Sequence, residues 1–220
     1  MRHLLNSLAA LLTALALFHG IAARADDLLP PPKDPDLTMG ALLHDPATPI
    51  GGNPQGDVTI VEFFDYNCPF CMKSAPVLQK LVREDHGIRM VYKDWPIFGP
   101  VSKYAAEVAL AAKWQGEYQA VHDALLTTGK RKISKDQVRA IVATTPVDMA
   151  RLKTDLVTHK TDIAAILART SKQADRMHLP GTPIFLVGPL LVSQALDLKD
   201  FKAAVAQARA KLKNGRVKQN

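Results

Sequence analysis

One strand constrains the fold of this chain more than any other feature. Residues Val58 to Phe64 are almost all β-branched or aromatic, and the run carries a single charge, at Glu62. A strand with one face in solvent alternates between apolar and polar residues, whereas a nearly continuous apolar run is typical of a strand buried on both faces. The sequence therefore predicts that residues 58–64 form an interior strand of an α/β domain.

A helix and a second strand follow this run. The helix is expected to start near Cys68, because Cys71, Ala75 and Leu78 then share one face at helical spacing. The second strand is predicted from Ile88 to Tyr92, where an apolar run returns. Strand, helix and strand form a βαβ unit, whose crossover connection is right-handed when the two strands are parallel.

The rest of the pattern gives the order of the fold. Residues 99–179 show helical spacing throughout, and Thr145 is expected to cap a helix that begins at Pro146. Strands return at 183–187 and at Leu190–Val192, joined tightly as an antiparallel hairpin, before a final helix. The order βαβ, helices, ββα predicts a thioredoxin-like α/β fold with an all-helical insertion in its middle.

The same pattern divides the chain into four parts. Residues 1–25 have the features of a secretory signal, because Arg2 precedes an apolar stretch and Ala23-Arg24-Ala25 provides a cleavage site; an uncleaved membrane anchor is the alternative. The predicted parts that follow are a mostly irregular, proline-rich arm at 26–57, a thioredoxin-like domain at 58–98 and 180–213, and a helical insertion at 99–179. A cleaved signal predicts an exported protein.

The basic charge of the chain suggests a nucleic-acid partner, but the signal argues against it. The chain has 28 Lys and Arg against 21 Asp and Glu, and loss of Arg2 and Arg24 with the signal lowers the formal net charge from +7 to +5. Basic chains often bind nucleic acid or anionic surfaces. Since an exported protein works away from nucleic acid, we expect no such partner.

The two cysteines of the chain, Cys68 and Cys71, are separated only by Pro69 and Phe70. A structural disulfide stabilises most when it closes a long loop, so this spacing favours redox chemistry. Because a helix N terminus favours anions, Cys68 is expected to have the low pKa and to be the nucleophile. Cys71, one turn further on, is expected to be more buried and to resolve the mixed disulfide.

A metal site is the alternative for such a pair. Zinc requires two further ligands, and the histidines that follow the signal show no paired spacing (His44, His86, His122, His159 and His178). We therefore expect neither a metal nor another cofactor. Two soft thiolates can still bind copper(I). A copper(I)-binding protein without a redox activity is therefore kept as an alternative to an enzyme.

Glu62, Thr182 and Pro183 are further candidates for the same site. Glu62 either faces solvent at a strand end or lies buried beneath Cys71 and accepts its proton. Thr182 and Pro183 directly precede a strand, where either an ordinary turn or a cis peptide bond is compatible with the sequence. A cis bond would turn the backbone of Thr182 toward an extended substrate, which could pair with it as an added strand.

The neighbours of these residues have two interpretations each. Tyr66 and Phe70 either offer an apolar surface to unfolded substrates or pack inside the protein. Asp65 is a weaker candidate than Glu62 for the negative charge that acts on the cysteines. Lys93 is expected to be a solvated strand-end lysine that at most tunes this charge, and His178 is expected to lie at a helix end or on the surface.

Three motifs together resemble the DsbA-like thiol–disulfide oxidoreductases of bacterial envelopes, and among them the subgroup that contains the suppressor-of-copper-sensitivity protein C. The motifs are residues 61–71, residues 94–99 and Gly181-Thr182-Pro183, and the resemblance extends over about residues 42–212. It implies a thioredoxin fold with inserted helices, a periplasmic location and disulfide exchange with unfolded or reduced exported proteins.

The resemblance also implies residue roles. It matches Cys68 to the nucleophile, Cys71 to the resolving cysteine, Pro183 to the cis-proline and Glu62 to the buried acid. The chain departs from the best-known oxidase of the family, which has Pro-His between its cysteines and valine before the cis-proline. The Pro-Phe dipeptide and Thr182 therefore argue against a strongly oxidising potential.

Two directions of exchange stay open. An oxidase donates its disulfide and is reoxidised by a membrane redox partner, whereas an isomerase or reductase is kept reduced by such a partner. Isomerases of this fold are typically oligomers with an N-terminal assembly segment. The arm at 26–57 is short and rich in proline, which favours a monomeric oxidase.

Overall fold

A five-stranded sheet with helices on both faces organises the described part of the chain. The computed structural model describes residues 35–132 and 134–217, with side chains up to residue 214. The predicted signal at 1–25 and the start of the predicted arm at 26–34 lie outside the described residues.

The strands are β1 (Ile50–Gly52), β2 (Val58–Phe64), β3 (Ile88–Asp94), β4 (Ile184–Val187) and β5 (Leu190–Val192). The helices are α1 (Met39–Leu43), α2 (Pro69–Glu84), α3 (Pro100–Ala112), α4 (Tyr118–Thr127), α5 (Lys135–Val142), α6 (Met149–Thr158), α7 (Lys160–Arg176) and α8 (Leu198–Val217). Short 3-10 turns cover Pro35–Leu37 and Lys113–Gln115. The predicted order βαβ, helices, ββα is confirmed, with α3 to α7 between β3 and β4. Every described helix is too short or too polar to traverse a lipid bilayer.

Strand β2 lies at the centre of the sheet, whose order is β1-β3-β2-β4-β5. It pairs parallel with β3 and antiparallel with β4, and all its residues except Thr59 are buried. The prediction of an interior strand is therefore confirmed. Partners on both edges and helices on both faces leave little room for polar side chains, which explains the continuous apolar run.

The side chains of β2 alternate between two cores. Ile60 and Phe64 pack with residues of α2, α4 and α8, whereas Val61 and Phe63 pack on the opposite face with residues of α1 and α7. Burial of each such side chain contributes about 1.5–3 kcal/mol. Because alternate residues of a strand point to opposite faces, Glu62 lies on the face covered by α2.

Strand β1 was not predicted from the sequence. Residues Ile50–Gly52 pair antiparallel with β3, within the segment that was expected to be mostly irregular. Two of the three residues are glycines, so the composition contains no strand signal. A Cβ at Gly51 would lie 2.8 Å from the hydroxyl oxygen of Tyr92, which explains why glycine is needed at that position.

The start of α6 differs from the prediction. The helix begins at Met149, and the side chain of Asp148 accepts hydrogen bonds from two backbone N–H groups of its first turn. The expected cap, Thr145, instead donates its hydroxyl to the carbonyl oxygen of Val142 at the end of α5. The prediction was wrong because a carboxylate three residues later satisfies the free N–H groups of the helix.

The end of α7 has a histidine in a conformation that favours glycine. The φ angle of His178 is +52°, and its side chain is exposed. The N–H of His178 donates to the Asp175 carbonyl and the N–H of Leu179 to the Ala174 carbonyl, at 3.1 and 3.0 Å. These two bonds define a Schellman motif, whose left-handed residue is usually glycine because a Cβ is unfavourable there.

We expect the substitution His178→Gly to stabilise the protein. Relief of the left-handed conformation contributes about 1–2 kcal/mol, and the added freedom of glycine in the unfolded chain offsets about half of it. Urea unfolding of the reduced protein should show a gain of about 0.5–1 kcal/mol. His178→Ala is the control, since it keeps the Cβ; equal stabilities of the Gly and Ala variants would contradict this account of the helix end.

Candidate active site at the start of helix α2

The two cysteines lie at the N terminus of α2, as predicted. Cys68 is the N-cap residue, Pro69 occupies the first turn, and both thiols are free in this structure. Cys68 donates a hydrogen bond from Sγ to the carbonyl oxygen of Thr182, at 3.2 Å. Proline is tolerated at this point because the first N–H groups of a helix have no partner within it.

The surroundings of Cys68 favour its thiolate. Its pKa is lowered to about 6, first by the hydrogen bond from the Cys71 thiol, and then by the side chain of Thr182 and by the backbone N–H groups of Cys71 and Phe70. Burial opposes this shift. Near neutral pH the sulfur of Cys68 is therefore mostly ionised, as the helix-start position predicts.

Cys71 has the opposite character. Burial is the main cause that raises the pKa of its thiol far above the ordinary value, and the hydrogen bond to Cys68 and the charge of Glu62 act in the same direction. The thiol therefore stays protonated at neutral pH. A base must accept its proton before Cys71 can attack a disulfide.

Glu62 lies inside the protein, and the solvent-exposed interpretation is wrong. Its side chain is 1% exposed, because β2 carries it into the core beneath α2. Burial raises the pKa of Glu62 to about 8, and the charges of Asp94, Asp123 and Cys68 add to this effect. Within the described residues, its Oε1 has no hydrogen-bond partner.

A cleft of 280 Å³ connects Glu62 with the protein surface. Its walls come from the sheet, from α2 and from α4, and Gln119 and Asp123 of α4 line it together with Glu62. The Gln119 amide donates to Asp123 at 2.9 Å, while Asp123 is half-buried. Such a cleft offers a path for a proton between Glu62 and solvent.

The peptide bond between Thr182 and Pro183 is cis, which confirms that prediction and excludes the ordinary turn. Pro183 is buried and Thr182 half-buried, directly before β4. The bond therefore lies beside the cysteines, with the Thr182 carbonyl in contact with Cys68.

The two aromatic candidates differ in exposure. Phe70 is 61% exposed, and Ile97 and Phe98 of the loop after β3 are exposed as well. Tyr66 is 1% exposed, and its hydroxyl lies 3.2 Å from Nδ1 of His122 in the core. The expectation that Tyr66 binds substrate is therefore wrong, since this ring packs against Phe64 and His122 and has no free surface.

Asp65 has a structural role that the sequence did not reveal. Its carboxylate accepts hydrogen bonds from the backbone N–H groups of Asn67, Ile97 and Phe98 at 2.6, 2.7 and 2.9 Å, and from the Ser102 hydroxyl at 2.7 Å. These bonds tie the turn before Cys68 to the loop after β3. A single carboxylate thus joins the turn that leads to Cys68 to the loop after β3 and to the start of α3.

Lys93 is buried, so the prediction of a solvated lysine is wrong. Its ammonium lies 3.3 Å from the Ala41 carbonyl and 3.4 Å from the Thr48 hydroxyl, and burial lowers its pKa to about 8. Lys93 pairs in register with Phe63, whose side chain faces α1 and α7. It therefore lies on the side of the sheet opposite Glu62.

Two polar residues near the cysteines were missed entirely. Lys132 and Asn67 are buried and bonded to each other, and no local sequence pattern marks either of them. Both are polar residues in irregular segments, where the sequence alone predicts exposure. Among the side chains described at 35–132 and 134–214, no three of His, Cys, Asp or Glu converge in a way that could hold a metal ion.

The chain matches known proteins over most of its length. A family model described as Thioredoxin matches residues 44–207. The curated relative Na(+)/H(+) antiporter NhaA 3 of Salinispora tropica is 28% identical over 173 residues, which are 76% of this chain and 26% of that protein. The chain spans about a third or less of the length of the antiporters that it matches.

Solved structures show the same fold. A thioredoxin-like oxidoreductase from Silicibacter pomeroyi is 38% identical, with a TM-score of 0.74 over 79% of this chain and 98% of that one. The thiol-disulfide exchange protein alpha-DsbA2 of Wolbachia pipientis is 25% identical, with a TM-score of 0.70 over 74% of this chain and 88% of that one. The catalytic domain of Proteus mirabilis ScsC, at 22% identity, shares the fold with a TM-score of 0.69 over 78% of this chain and 94% of that one. The chain thus belongs to the thioredoxin family, and its neighbours are the DsbA-like members of that family.

Proposed function

We propose that this protein is a thiol–disulfide oxidoreductase that exchanges disulfides with exported proteins through Cys68 and Cys71. The observation that carries the proposal is the contrast between two adjacent thiols, one with a lowered pKa and one with a raised pKa, beside a cis-proline. A nucleophile needs the first property and a resolving thiol tolerates the second. The export signal predicted at 1–25 and the DsbA-like relationship support a periplasmic location.

In the oxidase direction, the Cys68–Cys71 disulfide accepts two electrons from a substrate dithiol. A substrate thiolate attacks the sulfur of Cys68, the bond to Cys71 breaks, and Cys71 leaves as a thiolate that takes a proton from Glu62. The second substrate thiolate then attacks the substrate sulfur of the mixed disulfide and releases the thiolate of Cys68, whose low pKa makes it a good leaving group. The substrate gains a disulfide, and a membrane redox partner reoxidises the cysteine pair.

In the isomerase or reductase direction, the same groups act in reverse. The thiolate of Cys68 attacks a substrate disulfide, and Glu62 accepts the proton of Cys71 as this thiol attacks the mixed disulfide. Thr182 presents its backbone to an extended substrate, and Phe70 offers an exposed apolar ring. After each such reduction a membrane partner must return two electrons to the pair, whereas isomerisation, in which a substrate thiolate displaces Cys68, leaves the pair reduced.

The acidity of Cys68 favours the oxidase direction. A stabilised thiolate favours the reduced form of the pair and so makes its disulfide more oxidising. A pKa of about 6 lies between about 7 for thioredoxin and about 3.5 for DsbA. We therefore propose a moderately oxidising protein, in keeping with phenylalanine in place of the histidine of the best-known oxidase.

The direction can be measured by a glutathione redox titration combined with two ribonuclease assays. We expect the protein to oxidise reduced ribonuclease faster than it rearranges scrambled ribonuclease. Iodoacetamide alkylation of Cys68 should follow a titration with a midpoint near the pKa of about 6. A protein with a reactive Cys68 that acts in neither assay would contradict the proposal, and copper(I) titration of the reduced protein would then test metal binding.

Substitution of each cysteine separates the two roles. We expect Cys68→Ser to abolish exchange, because the remaining thiol, that of Cys71, is protonated at neutral pH and supplies no thiolate for the first attack. Cys71→Ser should still attack a peptide disulfide, but the mixed disulfide should accumulate because nothing resolves it. Mass spectrometry of the trapped species checks this, and a stable adduct on Cys71 in Cys68→Ser would reverse the assigned roles.

Substitution Glu62→Gln should slow the resolving step while leaving the first attack intact. Loss of a positioned base costs about a hundredfold or more in rate, and the mixed disulfide should therefore persist. In the wild type, the rate of resolution should increase as the pH rises through about 8, where Glu62 ionises. The pH profile of the variant should lack this increase. Stopped-flow measurement with a peptide disulfide provides the rates.

Glu84→Gln is the matched control for this experiment, because Glu84 lies on the same helix as the cysteines but at the exposed far end. Its rates should equal those of the wild type. An unchanged resolution rate in Glu62→Gln would remove Glu62 from the mechanism without affecting the roles of the cysteines.

A further inference from the structure

A buried lysine lies against the chain on both sides of the cysteine pair. Lys132 is 3% exposed and follows α4, within the loop that leads to α5. Its ammonium donates to the carbonyl oxygens of Tyr66 and Leu125, the second at 2.8 Å, and lies 3.9 Å from the sulfur of Met72. Tyr66 stands two residues before Cys68, and Met72 one residue after the second cysteine.

The main chain of Lys132 is held as firmly as its side chain. Its N–H donates to Oδ1 of Asn67 at 2.8 Å, and its carbonyl accepts from Nδ2 of Asn67 at 3.0 Å. Asn67 directly precedes Cys68. The loop after α4 is therefore docked on the turn that ends in the nucleophile, and the ammonium is fixed by two independent sets of bonds.

The position of this charge is costly by itself. Removing an ammonium from water is unfavourable unless an anion compensates for the loss. The polar atoms that contact the ammonium of Lys132 within the described residues are carbonyl oxygens and a thioether sulfur. Asp65 is the carboxylate that acts on its charge, and this group already accepts four hydrogen bonds from other donors.

We propose that the ammonium of Lys132 is a positioning charge that stabilises the thiolate of Cys68 and so makes the Cys68–Cys71 disulfide more oxidising. The thiolate then adds to Asp65 a second anion that compensates for this burial, and this second anion is present only in the reduced protein. This inference rests on the proposed dithiol chemistry and deepens it, because it names a residue of the helical insertion that sets the redox equilibrium.

Other ionisable groups around the pair act differently. Asp65 from the turn after β2 and Asp94 from β3 bring negative charge, and Glu62 from β2 does so once it ionises at higher pH, which disfavours the thiolate. On the loop of Lys132, the neighbouring Lys130 is exposed to solvent, where water and salt screen its charge. Lys132 is thus the buried cation whose contacts flank both cysteines. Burial lowers its pKa to about 8, so it is charged at pH 7.

Matched variants at one position test the charge. We expect Lys132→Met to raise the pKa of Cys68 by about one unit, which at pH 7 makes reduction of the protein disulfide by glutathione about fivefold less favourable. Lys132→Arg should stay within about twofold of the wild type, since it keeps the charge. Both variants keep the main-chain bonds to Asn67. Lys130→Met, on the same loop, should change neither quantity.

A second measurement does not depend on the variants. Because coupling between two groups is reciprocal, the thiolate must raise the pKa of Lys132. NMR titration of the lysine side chains in the wild type should therefore give a higher pKa for Lys132 in the reduced protein than in the oxidised one. If the wild-type disulfide does not form in the tube, the reduced variant Cys68→Ser replaces the oxidised protein as the reference that lacks the thiolate.

The outcomes separate the inference from the proposed function. Equal Lys132 pKa values in the reduced protein and its thiolate-free reference, or equal effects of Lys132→Met and Lys132→Arg in folded protein, would overturn the role of Lys132 alone. A wild type that reaches no equilibrium with glutathione would instead refute the dithiol chemistry, whatever Lys132 does.

Discussion

The pairing of β2 with both β3 and β4 is the interaction on which the candidate site depends. Phe63 stands opposite Ile184 in the antiparallel register, so the chain leaving β2 and the chain entering β4 meet at one edge of the sheet. The first leads to Cys68 and the second brings the cis Thr182–Pro183 bond, which explains a contact of 3.2 Å between residues 114 positions apart. A register shift of one residue would move the side chains of β2 to the other face and remove Glu62 from the space beneath α2.

The core beneath α2 contains ionisable groups that the opposite core largely lacks. Burial raises the pKa of Glu62 to about 8 and that of Asp94 to about 7, and it lowers the pKa of His122 to about 3. The first and the last of these groups are therefore mostly neutral at pH 7, and Asp94 titrates there. In such surroundings a charge acts strongly, because little water screens it. The thiolate of Cys68 and the ammonium of Lys132 consequently influence this region more than exposed charges do.

The sequence predicted the elements whose signal is local. The apolar run of β2, the helix after Cys68 and the hairpin of β4 and β5 were all identified, because periodicity and turn residues reflect the burial of each segment by itself. Strand β1 was missed because its edge pairing with β3 tolerates glycine. Lys93 and Tyr66 were misplaced for a different reason. Their burial depends on partners distant in the chain, such as the Thr48 hydroxyl and the ring of His122, which no local pattern encodes.

The site therefore has two sources within one chain. The sheet and α2 supply the cysteines, the buried acid and the cis-proline, all of which the sequence motifs predict. The helical insertion supplies residues that no motif predicts: Ser102 of α3 binds Asp65, Asp123 of α4 lines the cleft at Glu62, and the loop after α4 carries Lys132. Since the thiolate responds to charge around it as well as to the dipeptide between the cysteines, chains with the same Pro-Phe dipeptide can differ in redox equilibrium through their insertions. The role proposed for Lys132 therefore places part of the control over this redox equilibrium in the insertion and not in the dipeptide alone.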